Sequence, residues 1–129
     1  MLVLIVDQSD QIINRLKEVL AEAKHIRAIH KAVSYEEAIR LYKQSNPDIV
    51  LLDIDLSDNR SVDLISEIKK LNAATAIIVL STRTDAHTQE QFVSLGADFF
   101  FDKYHDFEKL PGVVDAIGAS KKSGGLLKY

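Results

Sequence analysis

The sequence predicts an α/β fold: one doubly wound (βα)5 domain built on a parallel five-stranded sheet. Three observations support this prediction. Short β-branched runs alternate with amphipathic segments five times along the chain. The length of 129 residues leaves room for a single domain. Hydrophobic residues make up 47% of the sequence and charged residues 27%, which is an ordinary balance for a domain with one core.

Local patterns set the predicted elements. Ser34 followed three residues later by Glu37 is a capping box, and Gly96 follows the fourth amphipathic segment as a helix stop. The first amphipathic segment has apolar residues at helical spacing, namely Ile12, Ile13, Leu16, Val19, Leu20 and Ala23. The predicted strands are 1–6, 26–33, 48–54, 75–80 and 98–103. The predicted helices are 10–24, 35–44, 62–71, 85–96 and a last one that ends near residue 121.

The C-terminal part of the chain has two irregular features. Pro111 lies several residues after the apparent start of the last helix at Asp106, where a proline would remove a backbone hydrogen bond. We therefore expect the helix to start again with Pro111 in its first turn, or to be kinked. Helical periodicity is lost in KKSGGLLKY, so residues 121–129 are predicted to be a flexible tail or the start of a linker after a domain of residues 1–120.

Composition argues against several functions. A net charge of −3 does not suit a generally phosphate-binding surface, so nucleic acid is not the expected direct partner. The sequence has no cysteine, which excludes disulfides and thiolate metal sites and agrees with an expected cytoplasmic location. The opening MLVLIV meets Asp7 after six residues and lacks basic residues, so neither a signal peptide nor membrane association is expected.

Polar residues stand at the ends of four predicted strands: Asp7, Asp53, Ser81 and Lys103. Ligands of open α/β sheets bind beyond the carboxyl ends of the strands, near the point where the strand order reverses. In the flavodoxin-like order 2-1-3-4-5, strands one and three are neighbours about 5 Å apart, so Asp7 and Asp53 would face each other. A cation between the two carboxylates would offset their repulsion, and oxygen ligands favour Mg²⁺ or Mn²⁺ over Zn²⁺.

Ser81 and Lys103 extend the chemistry of this predicted metal site. A divalent cation, an ammonium and a hydroxyl around one carboxylate are the groups that a phosphoryl group requires, with Asp53 as the nucleophile. The acyl phosphate would attract Ser81 and Lys103 and reshape their loops. We therefore expect a conformational switch rather than an enzyme with steady turnover.

The chain resembles the response-regulator receiver domains of two-component signalling, the CheY-like family. LIVDQSD is similar to the first-strand acid motif, PDIVLLDIDL to the phosphoacceptor strand, IIVLST to the hydroxyl strand and GADFFFDK to the lysine strand. The resemblance implies that Asp53 is the phosphoacceptor, Asp7 a metal-site acid, Ser81 the phosphoryl-binding hydroxyl and Lys103 the phosphate-pairing lysine. Phe100 takes the place of the switch aromatic.

Several residues depart from the family pattern. Gln8 replaces a second metal-binding acid, although its amide oxygen can coordinate Mg²⁺ and Asp55 could restore the lost charge through its side chain or contribute its backbone. Asp55 could instead pair with Arg83, and such a pair would obstruct the hydrolytic water and lengthen the phosphorylated lifetime. Tyr104 replaces the proline whose cis peptide follows the lysine, and without proline a cis bond is about 3 kcal/mol harder to hold.

The resemblance implies a sensor histidine kinase or a histidine phosphotransfer protein as phosphodonor, and a protein as downstream target. A homodimer is among the assemblies that it allows. Two other hypotheses stay open. A pseudo-receiver would act by protein contact without phosphorylation, because of Gln8 and the altered loops. A haloacid-dehalogenase-like phosphatase would use Asp53 and Asp55 as its Asp-x-Asp pair, but this short chain lacks the later acids and the cap of those enzymes.

Overall fold

The computed structural model describes residues 1–122, with the side chains of the last two left out. Five parallel strands form one sheet in the order β2-β1-β3-β4-β5, which confirms the predicted fold. The strands are β1 (Leu2–Val6), β2 (Ala28–Ala32), β3 (Ile49–Asp53), β4 (Ala76–Ser81) and β5 (Phe99–Asp102). The helices are α1 (Asp10–Leu20), α2 (Tyr35–Ser45), α3 (Ser61–Leu71), α4 (Ala86–Leu95) and α5 (Leu110–Lys122).

The core lies on both faces of the sheet, as a doubly wound fold requires. Every residue of β1, β3 and β4 is buried. On one face these strands pack against α2, α3 and α4, with Tyr42, Leu64 and Phe92 in the cluster. On the other face they pack against α1 and α5, through residues such as Leu16 and Val114. Burying one such aliphatic side chain contributes about 1.5–3 kcal/mol, so the two clusters hold the strands in a fixed register.

The register brings the carboxyl ends of the strands to one edge. Asp53 at the end of β3 lies beside Leu80 of β4, and Ser81 at the end of β4 lies beside Asp102 of β5. Because β1 has β2 on one side and β3 on the other, the strand order reverses at β1. Asp7, the first residue after β1, therefore lies at the reversal.

The observed helix ends can be compared with the start and stop signals predicted from the sequence. The Ser34 Oγ accepts a hydrogen bond from the Glu37 N–H at 3.2 Å, as a capping box predicts, but the Glu37 carboxylate accepts from Val33 rather than from the cap residue itself. Gly96 ends α4 with a φ of 118°, which confirms the predicted stop. The predicted extent of α1 is wrong: the helix ends at Leu20, because Ala23 donates to the Leu20 carbonyl in a tighter turn.

The last helix confirms the expected second start. A 3₁₀ turn, Phe107–Lys109, precedes α5, and Pro111 is the second residue of α5, where it removes no helical hydrogen bond. Helix α5 continues to Lys122, and the rest of the predicted tail, 123–129, lies outside the described residues. Among residues 1–122, no helix has the length and apolar character needed to cross a bilayer.

Candidate functional site

Four side chains predicted from the strand ends are buried at the carboxyl edge of the sheet. The exposed fractions are 2% for Asp7, 4% for Asp53, 0% for Ser81 and 7% for Lys103. Ionisable groups are seldom buried this far without a charge partner. The arrangement therefore needs a specific pairing, which Lys103 provides.

Lys103 joins the two acids. Its Nζ donates a hydrogen bond to Asp53 Oδ2 at 2.9 Å and forms an ion pair with Asp7 Oδ2 at 3.1 Å. Both carboxylates thus contact one nitrogen, which confirms that Asp7 and Asp53 meet across the reversal of the strand order. Two ionised carboxylates and one ammonium leave this cluster with one net negative charge.

The electrostatics of the cluster shift two pKa values. Burial, the largest effect, raises the pKa of Asp7 above its ordinary value; the hydrogen bond from the Ser9 N–H and the charge of Lys103 oppose this, whereas the charge of Asp53 adds to it. Burial alone would lower the pKa of Lys103, but the hydrogen bond and charge of Asp53, together with Asp7, raise it above its ordinary value. Lys103 is therefore a firmly held cation at neutral pH.

Each carboxylate keeps acceptor capacity. Asp53 Oδ1 accepts from the Asp55 N–H at 2.9 Å, and Asp7 Oδ1 accepts from the Ser9 N–H at 2.8 Å. Asp7 Oδ2 is buried and accepts no hydrogen bond from the described residues; its contact with Lys103 is an ion pair only. A carboxylate oxygen has two lone pairs, so every oxygen of the pair can bind one more group.

Ser81 and Asp55 are linked through Arg83. The Ser81 Oγ donates to the Arg83 carbonyl and accepts from the Arg83 N–H, both at 2.8 Å. The Arg83 Nη2 lies 3.1 Å from Asp55 Oδ1, so the ion pair considered from the sequence is present. The Ser81 hydroxyl is thus bonded to its own loop rather than to Asp53.

Gln8 lies outside the acid pair. Its Oε1 accepts a hydrogen bond from the Ser57 N–H, in the loop between β3 and α3, and its side chain is exposed. The same loop is bonded to α2 through Asp58, which accepts from Tyr35 and from Arg60. The Gln8 side chain thus holds the loop that follows β3.

Most of the chain matches a known protein family. The family model described as the response regulator receiver domain matches residues 3–115. The chain belongs to the response regulator receiver family. The receiver is 35% identical over 115 residues to the chemotaxis protein CheY of Halobacterium salinarum, and the alignment covers 89% of this chain and 92% of that protein.

One further relative is longer than this chain, and a solved structure has the same fold. The receiver is 32% identical to the sensory transduction protein LytT of Bacillus cereus, with 94% of this chain aligned but only 48% of that protein. A two-component response regulator of Clostridium difficile has a similar structure, with a TM-score of 0.84, 26% identity, and coverage of 94% of this chain and 98% of that one. The fold is therefore that of CheY-like proteins.

The acid pair of the receiver fits a divalent cation. Asp7 Oδ2 is a buried oxygen without a hydrogen bond, and the cluster carries a net negative charge. Within residues 1–122 no group of three His, Cys, Asp or Glu side chains is placed to hold a metal. Mg²⁺ commonly uses one or two carboxylates and keeps several waters, so Asp7 and Asp53 suffice as its carboxylate ligands.

Phe100 lies on the opposite face of β5 from its two phenylalanine neighbours. It is partly buried and packs against the cluster of α2, α3 and α4, whereas Phe99 and Phe101 pack on the α1 and α5 side with ring centroids 6.0 Å apart. The three rings thus alternate between the two faces of the sheet, as successive strand residues do.

Sequence reasoning missed two residues, Asp102 and Asp106, which flank the segment 103–105. Asp102 Oδ1 accepts hydrogen bonds from the Tyr104 and His105 N–H groups at 2.8 and 3.0 Å. Asp106 Oδ2 accepts from the Asp102 N–H at 2.8 Å. All peptide bonds of the described residues are trans, including the one before Tyr104. The available signal was Asp on both sides of KYH, because aspartate side chains often close turns on their own backbone.

Proposed function

We propose that the receiver accepts a phosphoryl group on Asp53 and changes conformation in response. The observation that supports this most is the buried Asp53 carboxylate, held at 2.9 Å from the Lys103 ammonium and linked through that group to Asp7. A carboxylate fixed by a cation, with a lone pair free on each oxygen, is a preorganised nucleophile for a phosphorus centre.

The proposed step is an in-line transfer from a phosphohistidine. The P–N bond of the donor breaks, a P–O bond to an Asp53 oxygen forms, and the departing imidazole takes up a proton. Mg²⁺ or Mn²⁺, bound by Asp7 and Asp53, would neutralise charge on the phosphoryl oxygens. Lys103 would supply a second positive charge beside Asp53.

The conformational response would begin at Ser81. Its hydroxyl must give up two hydrogen bonds to Arg83 before it can donate to a phosphoryl oxygen. The loop after β4 then moves, and the partly buried Phe100 on the neighbouring strand is placed to follow. The output is a population shift rather than catalytic turnover.

The proposed partners are a sensor histidine kinase or a histidine phosphotransfer protein as donor, and a protein as target. We expect the reaction to take place in the cytoplasm, without direct contact to nucleic acid or membrane. The proposal also includes self-association into a homodimer, which a measurement of the oligomeric state in solution would test.

A pseudo-receiver is the second candidate. It is favoured by Gln8, whose amide oxygen is bonded to Ser57 instead of being free for a metal. The hydrogen bond from Ser81 to Arg83 favours the same alternative, because the hydroxyl is already bonded.

Intact-mass spectrometry with acetyl phosphate and Mg²⁺ tests the proposal. The wild type should gain one phosphoryl group, and Asp53→Asn, which keeps the size of the side chain but lacks the carboxylate nucleophile, should gain none. An unlabelled wild type would support the pseudo-receiver. Continuous release of phosphate from a phosphate ester would instead indicate a phosphatase of the haloacid-dehalogenase type.

A further inference from the structure

The turn after β5 holds Lys103 without help from proline or from burial of the next residue. Tyr104 is 61% exposed and the His105 side chain 81% exposed, so neither side chain anchors the turn in the core. The Lys103 backbone is fixed on one side by its N–H, which donates to the Ser81 carbonyl at 2.9 Å. On the other side, the only backbone restraints that the described residues supply come from two aspartates.

Asp102 and Asp106 enclose the turn in reciprocal hydrogen bonds. Asp102 Oδ1 accepts from the backbone of Tyr104 and His105, the two residues after Lys103. Asp106 Oδ2 accepts from the Asp102 N–H, while the Asp106 N–H donates to the Asp102 carbonyl at 3.2 Å. The backbone is therefore held by hydrogen bonds both before and after Lys103.

Two exposed side chains, those of Lys109 and His105, contact the aspartates from outside. The Asp106 Oδ1 lies 2.9 Å from the Lys109 Nζ, and the His105 Nδ1 lies 3.0 Å from Asp102 Oδ1. The bond from the Tyr104 N–H is the main reason that the pKa of Asp102 is below its ordinary value, and the bond from Lys109 is the main reason for the same shift at Asp106. Both side chains therefore stay ionised acceptors at neutral pH.

We propose that Asp102 is a positioning residue, which closes a trans turn and so keeps the Lys103 ammonium between Asp7 and Asp53. Asp106 supports it by fixing the Asp102 backbone. The inference rests on the proposed phosphoryl transfer only for its kinetic consequence, since the placement of Lys103 can be measured without any phosphodonor.

The first test measures the placement of Lys103 in metal-free buffer. Site-resolved labelling with acetic anhydride reports how well each lysine amine is protected. Asp102→Ala should raise the labelling rate of Lys103 several-fold and leave that of Lys69, which pairs with Asp98 at 3.0 Å, unchanged. Asp102→Asn keeps the carbonyl acceptor and should restore protection. Equal protection in Asp102→Ala and wild type would overturn the proposal, and so would loss of protection in Asp102→Asn.

The second test measures the kinetics of Asp53 phosphorylation by acetyl phosphate. Asp102→Ala should lower the maximal rate by about tenfold or more, as small misplacements of a charge-stabilising group do, while the half-saturating donor concentration stays constant. His105→Ala loses the ring contact but keeps the backbone N–H, so it should react like wild type. A normal maximal rate in Asp102→Ala would overturn the kinetic role. If the wild type itself is not labelled, the proposed function fails while the labelling test still decides the position of Lys103.

Discussion

The guanidinium of Arg83 lies 3.1 Å from the carboxylate of Asp55, and this contact joins the loop after β4 to the loop after β3. The Asp55 N–H donates to Asp53, and the Arg83 backbone binds the Ser81 hydroxyl. The pair thus joins the two loops next to the proposed phosphorylation site. Both side chains are well exposed, so the bridge contributes less than about 1 kcal/mol to stability.

If Asp53 is phosphorylated as proposed, Arg83→Ala should shorten the phosphorylated lifetime, because we propose that the bridge obstructs the path of the hydrolytic water. A contact of this strength corresponds to an effect of up to about fivefold. The measurement is the decay of the phosphorylated mass after removal of the donor. Arg40→Ala, which removes another exposed arginine paired at 3.9 Å with Glu37, is the control. An unchanged or longer lifetime in Arg83→Ala would reject the obstruction.

Gln8→Asp should strengthen Mg²⁺ binding on the order of tenfold, because it adds a negative charge beside the acid pair. The substitution also replaces the amide oxygen that accepts from the Ser57 N–H with a carboxylate oxygen on a side chain one methylene shorter. Amide chemical shifts during a Mg²⁺ titration give the affinity. Gln11→Asp adds the same charge on the exposed surface of α1 and should leave the affinity near that of wild type.

Gly96→Ala should lower the free energy of unfolding by about 1 kcal/mol or more. The backbone there has a φ of 118°, and an added Cβ would lie 2.9 Å from the Lys69 Cγ. Gly112→Ala is the matched control, since its Cβ would meet nothing within 4 Å and alanine favours the helix by about 0.5–1 kcal/mol. Urea unfolding measures both. Equal effects of the two substitutions would contradict the strained helix end.

Asp85→Ala should destabilise the protein at neutral pH but not in acid. The Asp85 carboxylate caps α4 by accepting from the Thr88 N–H at 3.0 Å, and this bond lowers its pKa below 3.8. A lowered pKa means that the stabilisation is present above pH 3.8 and is lost as the pH falls through the folded-state pKa. Urea unfolding from neutral pH to pH 3 would follow the difference from wild type. Ser34→Ala removes a cap that does not titrate, so its cost should stay constant over the same range.

The strand ends illustrate how far sequence reasoning reaches. The proximity of Asp7 and Asp53 is predictable from the sequence, because apolar runs indicate buried parallel strands and the order of such strands determines which ends are neighbours. The partner of Gln8 was not predictable in this way. The amide oxygen of an exposed side chain can accept from several donors at similar energy, and only the folded loop shows that the Ser57 N–H is within reach.

The same limit applies to Ser81 and to Lys103. Burial of Ser81 follows from its position at the end of a central strand, but its bonds to Arg83 depend on the backbone path of a loop. The missing proline after Lys103 indicates an unusual turn. The hydrogen bonds that close this turn without proline join four residues, Asp102, Tyr104, His105 and Asp106. Turns of this kind are specified by many weak bonds rather than by a periodic pattern.

The central strands are covered on both faces, whereas all four residues of β5 are only half-buried at the margin of the sheet. A close-packed centre cannot bend without opening voids, and voids in such an interior are expensive. The structural change that we propose for Asp53 would therefore spread sideways, along the loops and toward β5, rather than through the middle of the molecule. The proposed protein target would then meet the largest difference on the protein surface beside that margin.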